Sequence, residues 1–239
     1  MKYTGLTDVH CHVLPNMDDG SRSVEESIGR LKTETAQGIT RVIATPHFYA
    51  DRDTLQCFIA RRHEAELVLR QEMTLHSDMP ELFLGAEVLF FHGISNWEGL
   101  EELTLNKSGY LLLEMPFVVW TDVLLDEVEE ISVKHGITPV LAHVERYLYL
   151  FNAKRVLDDL RRRSIMIQCN ADFFLQRNTA RTALKYLREN RIHFMGSDSH
   201  NMGRRKPNIG DATEIILAKQ GSAPLERLSQ MAEFLFDEQ

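Results

Sequence analysis

Residues 8–12 read Asp8-Val9-His10-Cys11-His12, at the end of a short apolar run that begins near Leu6. Side chains alternate along an extended backbone, so the two imidazoles point the same way and can grip one metal ion. Cys11 lies between them, faces the other side and reads as core. Asp18-Asp19-Gly20 follows, a carboxylate pair in a turn. A lone His-x-His is more often an ordinary surface or half-buried pair than a pair of ligands. The deciding question is whether other strands end the same way.

β-rich runs recur over 6–10, 41–45, 83–88, 110–115, 139–143, 165–169 and 193–196. Each is followed by a helical pattern, and the runs stand on the order of 30 residues apart, the length of a βα unit. Leu111-Leu112-Leu113 and Ile165-Met166-Ile167 are apolar on both faces, as strands of a covered parallel sheet should be. Ser23 with Glu26 forms a capping box for a helix that Gly38 ends. A long charged helix runs over 53–73 with Leu55, Phe58, Ile59, Leu67 and Val68 on one side. Further helices are expected over 121–135, closed by Gly136, then over 152–163 and 178–190. Two more lie within 208–236, parted by Gly221 and Pro224. With no repeat or linker, residues 1–239 read as one α/β domain of seven βα units. Such a chain closes, or nearly closes, into a barrel, with an open doubly wound sheet as the alternative.

Composition narrows the function. The formal charge of −8 disfavours nucleic acid as a partner. No apolar run reaches the roughly 18 residues of a membrane span, and the first five residues carry no apolar signal core. Cys11, Cys57 and Cys169 are scattered, which suits a reducing cytoplasm.

The strand ends supply the chemistry. His10 and His12 end the first strand and His47 the second. Glu87 ends the third, Glu114 the fourth and His143 the fifth, while Asp198 and His200 end the seventh. A parallel barrel brings all these ends to one mouth. Any one of these residues alone could be a satisfied buried group. Together they would crowd several carboxylates, which requires large pKa shifts or cations. With Asp19 the set has nine members, more than one tetrahedral ion needs, so two or three divalent ions are implied. Mixed nitrogen and oxygen donors without thiolate fit manganese, iron or zinc better than calcium or magnesium. His63, His76, His92, His135 and His193 fall elsewhere and read as packing or surface residues. Arg146 and Arg205 lie in loops at the same mouth, where guanidinium forks beside metals suit a phosphate. Arg204 and Lys206 divide evenly between that role and surface pairing. A thiol phosphatase mechanism is excluded: six residues after the three cysteines stand Met17, His63 and Leu175, where a Cys-x5-Arg signature needs arginine.

The segments DVHCHVLPNMDDGSRSVEES, ATPHF, GAEV, LLLEMPF, PVLAHVERY and GSDSHN, in that order, span essentially the whole chain. The sequence thereby resembles the polymerase and histidinol phosphatase (PHP) family. Within it, it is most similar to the metal-dependent protein-tyrosine phosphatases of bacterial capsule and exopolysaccharide clusters. The resemblance implies a distorted seven-stranded β/α barrel with a trinuclear centre, often manganese. It implies one ion on His10, His12, Glu87 and Asp198, and a second on Glu87, Glu114 and His143 with Glu87 bridging. The third would sit on Asp19, His47 and His200. Arg146 and Arg205 match phosphate-binding arginines, and Asp198, His200 or a metal-bound water would serve if an acid were needed. Asp8, Glu145 and Asn201 are expected to orient the imidazoles. The implied partner is the tyrosine-rich tail of a bacterial tyrosine autokinase that governs polysaccharide export. The loops 48–53 and 117–121 would set the substrate. A small-molecule phosphatase of the histidinol phosphate type and a non-catalytic, metal-stabilised kinase-binding regulator are the alternatives.

Overall fold

The computed structural model describes residues 3–148 and 153–237. Along them run β1 (Leu6–Cys11), α1 (Val24–Ala36), β2 (Ile39–Ala44), β3 (His47–Phe48), α2 (Leu55–Met73), β4 (Glu81–Leu84) and β5 (Glu87–Leu89). Then follow β6 (Tyr110–Glu114), α3 (Asp122–His135), β7 (Thr138–Leu141), α4 (Ala153–Arg162), β8 (Met166–Asn170) and α5 (Asp172–Leu175). The chain finishes with α6 (Ala180–Arg188), β9 (Phe194–Gly196), α7 (Ile209–Gln220) and α8 (Ala223–Glu233).

The strands form two parallel sheets, ordered β1-β2-β4 and β3-β5-β6-β7-β8-β9. Order follows sequence throughout, without the reversal of a doubly wound sheet, so that alternative falls. The sheet curls until its last strand meets its first. The Asp198 N–H donates to the His10 carbonyl at 2.7 Å, and the His12 N–H donates to the Ser199 carbonyl at 3.1 Å. The architecture is a curled parallel half-barrel.

One of the expected strands is divided, and another is followed by a short extra strand. Residues 83–88 do not form one strand, because β4 stops at Leu84 and β5 starts at Glu87. Between them a Cβ on Gly85 would lie 2.9 Å from the Leu105 side chain. The backbone kinks there, and the Glu87 N–H finds the Pro46 carbonyl at 3.1 Å. Pro46 has no N–H to give a ladder, and it splits β2 from the short β3, which the sequence pattern did not suggest. The upper halves of both strands thus leave the first sheet and pair with each other, His47 opposite Glu87.

Alternation sets the two faces. Leu111, Leu113, Leu141 and Ile167 belong to the larger core, which packs under the helices. Val9, Ile43, Leu112, Val140 and Phe194 fill the inside of the curl, with Leu235 joining them. Glu114 follows Leu112 by two residues, and Gln168 and Asn170 follow Met166 by two and four. The inner face is therefore apolar at its floor and polar at the C-terminal mouth.

Ser23 caps α1 by accepting the Glu26 N–H at 3.3 Å, while the Glu26 carboxylate accepts from Arg22, one residue before a capping box requires. Gly136 closes α3 in the left-handed region at φ +68°. α2 begins at Leu55 rather than at 53, with Thr54 as its cap. The expected start of α4 at Asn152 lies outside the described residues. Pro224 sits in the first turn of α8 rather than in the gap, where its missing N–H costs nothing. No helix among the described residues is long and apolar enough to cross a membrane.

The apolar stripe read along α2 is wrong in its second half. Phe58, Arg62 and Leu69 are its buried residues, whereas Leu67 and Val68 are 54% and 52% exposed. The Arg62 guanidinium turns inward to the carbonyls of Gly85 and Glu102, so the buried face follows the arginine and not the leucine. Leu69→Ala is accordingly expected to lose about 2–5 kcal/mol in urea unfolding. Leu67→Glu and Val68→Glu should stay within about 0.5 kcal/mol of the parent.

Candidate metal centre

All nine expected ligand residues arrive at one place. Glu87 is the hub and is 1% exposed. Its Oε2 lies 3.2 Å from His10 Nε2, 3.2 Å from His12 Nε2 and 3.1 Å from His47 Nδ1. Its Oε1 lies 2.7 Å from His143 Nε2. Asp198 Oδ1 stands 3.5 Å from His12 Nε2 and 3.7 Å from His10 Nε2. Asp19 Oδ1 is 3.3 Å from His200 Nε2 and 3.5 Å from His47 Nε2. Glu114 Oε1 is 3.5 Å from His143 Nε2. Three groups bring ligand atoms within 4.8 Å of one another: His12, Asp19, His47 and His200; His10, His12 and Asp198; His47, Glu87 and Glu114.

The donor set fits metal ions. Glu87 Oε2, His47 Nδ1 and His200 Nε2 are buried without a hydrogen-bond partner, which in a protein interior is costly. Ligands about 2.0–2.2 Å from one ion, at octahedral or tetrahedral angles, lie about 2.8–3.6 Å apart. Most of the contacts above fall in that window, too long or too misaligned for hydrogen bonds and right for shared coordination. His143 at φ +34° and Asp198 at φ +49° adopt left-handed backbone, a conformation that costs a non-glycine residue of order 1–3 kcal/mol and clusters at functional sites. Gly196 has its own requirement, since a Cβ there would stand 2.5 Å from that of His10.

The ring tautomers are held from behind. Asp18 Oδ2 accepts from His12 Nδ1 at 2.7 Å and from the His47 backbone N–H at 3.0 Å. Gln168 Oε1 accepts the His143 N–H at 2.7 Å, which marks it as the carbonyl oxygen, and it faces His10 Nδ1 at 3.2 Å. The rings of His12 and His10 therefore turn Nε2 toward the cluster. Sequence reasoning gave these roles to Asp8, Glu145 and Asn201, and none of the three touches an imidazole in the structure. Asp8 instead accepts the N–H groups of His10 and Ser197, Glu145 accepts that of Asn170, and Asn201 accepts those of Gly203 and Arg205. They hold backbone, which a sequence motif does not distinguish from holding a ring. A polar Gln168 on an otherwise apolar inner face was the available signal.

Arg146 and Arg205 both reach Asp198. Arg146 contacts Oδ2, and Arg205 donates to Oδ1 at 2.7 Å. They are 34% and 37% exposed and so face the mouth. The other histidines lie outside the cluster: His63, His76 and His92 meet Glu66, Glu72 and Glu127, His135 meets the Ser95 carbonyl, and His193 accepts the Ile167 N–H. Cys11 is buried beside the Ile43 carbonyl, away from the rings.

Electrostatics follow from crowding. Burial disfavours the charged forms of His10 and His12, but the carboxylates of Glu87, Asp198 and, for His12, Asp18 outweigh it and raise both imidazoles. Burial likewise opposes ionised Glu87 and Asp198, and the histidines overcome it, holding both well below the usual carboxylate range. Burial and then Glu87 push Glu114 up. Burial and then His12 push His200 down to about 3. Without metal, protons on His10 and His12 thus balance the anions. A divalent ion must displace them, so loading is expected to release protons, and apparent affinity should rise with pH. Calorimetric titration with manganese in two buffers of different ionisation enthalpy measures that release, and a proton count of zero would contradict it.

An imidazole–carboxylate centre at the C-terminal mouth of a curled parallel sheet defines a metal-binding α/β protein. The family model for capsular polysaccharide synthesis, CpsB/CapC, matches residues 6–233, and the chain belongs to that family. It is 27% identical to the tyrosine-protein phosphatase CpsB of Streptococcus agalactiae, over 95% of this chain and 94% of that one. It is 27% identical to the tyrosine-protein phosphatase YwqE of Bacillus subtilis, over 98% and 92%. A crystal structure from work on Bacillus subtilis YwqE and Streptococcus pneumoniae CpsB, described as metal-dependent tyrosine phosphatases, superposes with a TM-score of 0.85 at 26% identity, covering 96% of this chain and 94% of the other. A β-aspartyl dipeptidase from Fervidobacterium islandicum shares the fold at a TM-score of 0.54 and 14% identity.

Proposed function

We propose that this chain is a metal-dependent protein-tyrosine phosphatase. The observation that carries the reading is the Glu87-centred cluster with two guanidinium groups at its open side, in a chain aligned end to end with phosphatases of that kind. The fold is read as one domain over 1–239. Within it, β2 with β3 and β4 with β5 count as single interrupted strands, giving a distorted seven-stranded barrel.

His10, His12, Glu87 and Asp198 would hold one ion and Glu87, Glu114 and His143 a second. Asp19, His47 and His200 would hold a third, with manganese the leading candidate and iron or zinc behind it. The ions supply a lowered water pKa and neutralisation of phosphoryl oxygens. Arg146 and Arg205 then leave Asp198 and clamp the phosphoryl group bidentately. As ligands, Asp198 and His200 would have their donor atoms committed to the ions, so neither would bring a proton to the leaving group. A phenolate, from a phenol of pKa about 10, departs without one.

The mouth suits a peptide. Phe117, Val118 and Val119 are exposed in succession. Phe117 packs 5.0 Å from the Tyr147 ring, which stacks on His143 at 6.1 Å. An apolar, solvent-facing loop beside the centre fits a phosphotyrosine segment of a tyrosine autokinase in the cytoplasm better than a closed metabolite pocket.

Three outcomes test the reading. Manganese-loaded protein should hydrolyse a phosphotyrosine peptide, and chelation should abolish this; turnover confined to small metabolite phosphates would move the assignment to the small-molecule class. Glu87→Gln should lose metal and most activity, while Glu66→Gln on α2 should keep both. Arg205→Lys keeps the charge but not the fork, so kcat/KM should fall about 10²-fold with metal content intact. Full activity in both Arg146→Ala and Arg205→Ala would defeat the clamp.

A further inference from the structure

Arg30, on α1, is 1% exposed and is the bulkiest of the fully buried side chains among the described residues. Its Nη1 donates to the His12 carbonyl at 2.6 Å and to Ser21 Oγ at 2.7 Å. Its Nη2 donates to the Ser199 carbonyl and to Ser199 Oγ, the latter at 2.8 Å. Nε has no partner. Its hydrogen-bond acceptors are four neutral oxygens, with the buried Glu34 and Asp8 carboxylates near enough to act on its charge, and burying it still costs more than an apolar side chain would.

The partners of Arg30 are not scattered. His12 ends the ligand pair of β1. Ser21 closes the turn that carries Asp18 and Asp19, and its N–H donates to the same His12 carbonyl at 3.1 Å. Ser199 stands between Asp198 and His200 and accepts the His12 N–H. One planar fork thus ties three ligand-bearing segments at the seam where the last strand meets the first. Glu114 and His143 sit on β6 and after β7, which Arg30 does not touch.

We propose that Arg30 is a positioning residue for the half of the centre built on His12, Asp19, Asp198 and His200, its fork setting the spacing of the His12, Ser21 and Ser199 backbones. It rests on the metal reading above. Lysine is a point charge that cannot hold all these oxygens in one plane. The two ions that draw on His12, Asp198, Asp19 and His200 therefore lose affinity when the fork is lost, and the ion at Glu114 and His143 does not.

Manganese titration of the metal-free chain by calorimetry tests this without any assay of turnover. Arg30→Lys should weaken the two sites of that half about tenfold or more and leave the site at Glu114 and His143 unchanged, with excess manganese restoring full stoichiometry. Arg30→Met should weaken the same two sites further. Leu228→Ala, in the buried face of α8, serves as a stability control and should lower the unfolding midpoint without moving manganese affinity. Wild-type affinity at every site in Arg30→Lys overturns the proposal. So does equal weakening of all sites, or the same shift in Leu228→Ala. An Arg30→Met that fails to fold leaves the decision to Arg30→Lys; failure of that variant to fold also overturns the proposal, since the role would then be stability alone. A parent chain that binds no manganese defeats the metal reading itself, a result distinct from normal parent binding with unaffected variants.

Discussion

Glu87 carries a negative charge with almost no contact to water, and four imidazoles stand around it within 3.2 Å. That arrangement is tolerable only if positive charge is supplied, by protons on the rings or by metal ions among them. Much of the architecture serves to bring those groups together. The breaks at Pro46 and at Gly85-Ala86 detach the upper halves of two strands and set His47 opposite Glu87. A regular barrel, with both strands unbroken, would have spread them along the rim.

The same crowding explains the backbone. His143 and Asp198 take left-handed conformations where their side chains must turn inward from the ends of β7 and β9. Gly196 leaves room for His10 to cross beneath it. The supports behind the rings, Asp18 and Gln168, fix which nitrogen faces the centre. Ligand identity alone would not, because a neutral imidazole can present either nitrogen. Arg146 and Arg205 are attached differently: they rest on Asp198 from the solvent side and are free to follow an incoming anion.

All of the ligand residues except Asp19, which stands in a turn, are legible in the sequence because they interrupt a strongly apolar strand or end one, as Glu114 does after Leu111-Leu112-Leu113. Period-two alternation carries such a residue to the inner face whatever the tertiary details. The supports are not legible in that way. Asp8, Glu145 and Asn201 lie next to ligands in sequence and bind backbone, while Gln168 and Asn170 lie far from them in sequence and reach the site across the sheet. The stripe on α2 misleads for a related reason: Arg62 reads as a surface charge until carbonyls of Gly85 and Glu102 are found to receive it.

The amino-acid sequence by itself determined that βα units alternate, that their strands are covered on both faces, and that imidazoles and carboxylates converge at one end. These follow from local periodicity and from the parallel topology it enforces. Only the tertiary structure decided that the strands are divided between two sheets, and that Asp18 and Gln168 orient the rings. It also decided that Arg30 spans the seam between first and last strand. Each of these depends on contacts between residues distant in the chain, which arise when the sheet curls and leave no periodic trace in the order of the residues.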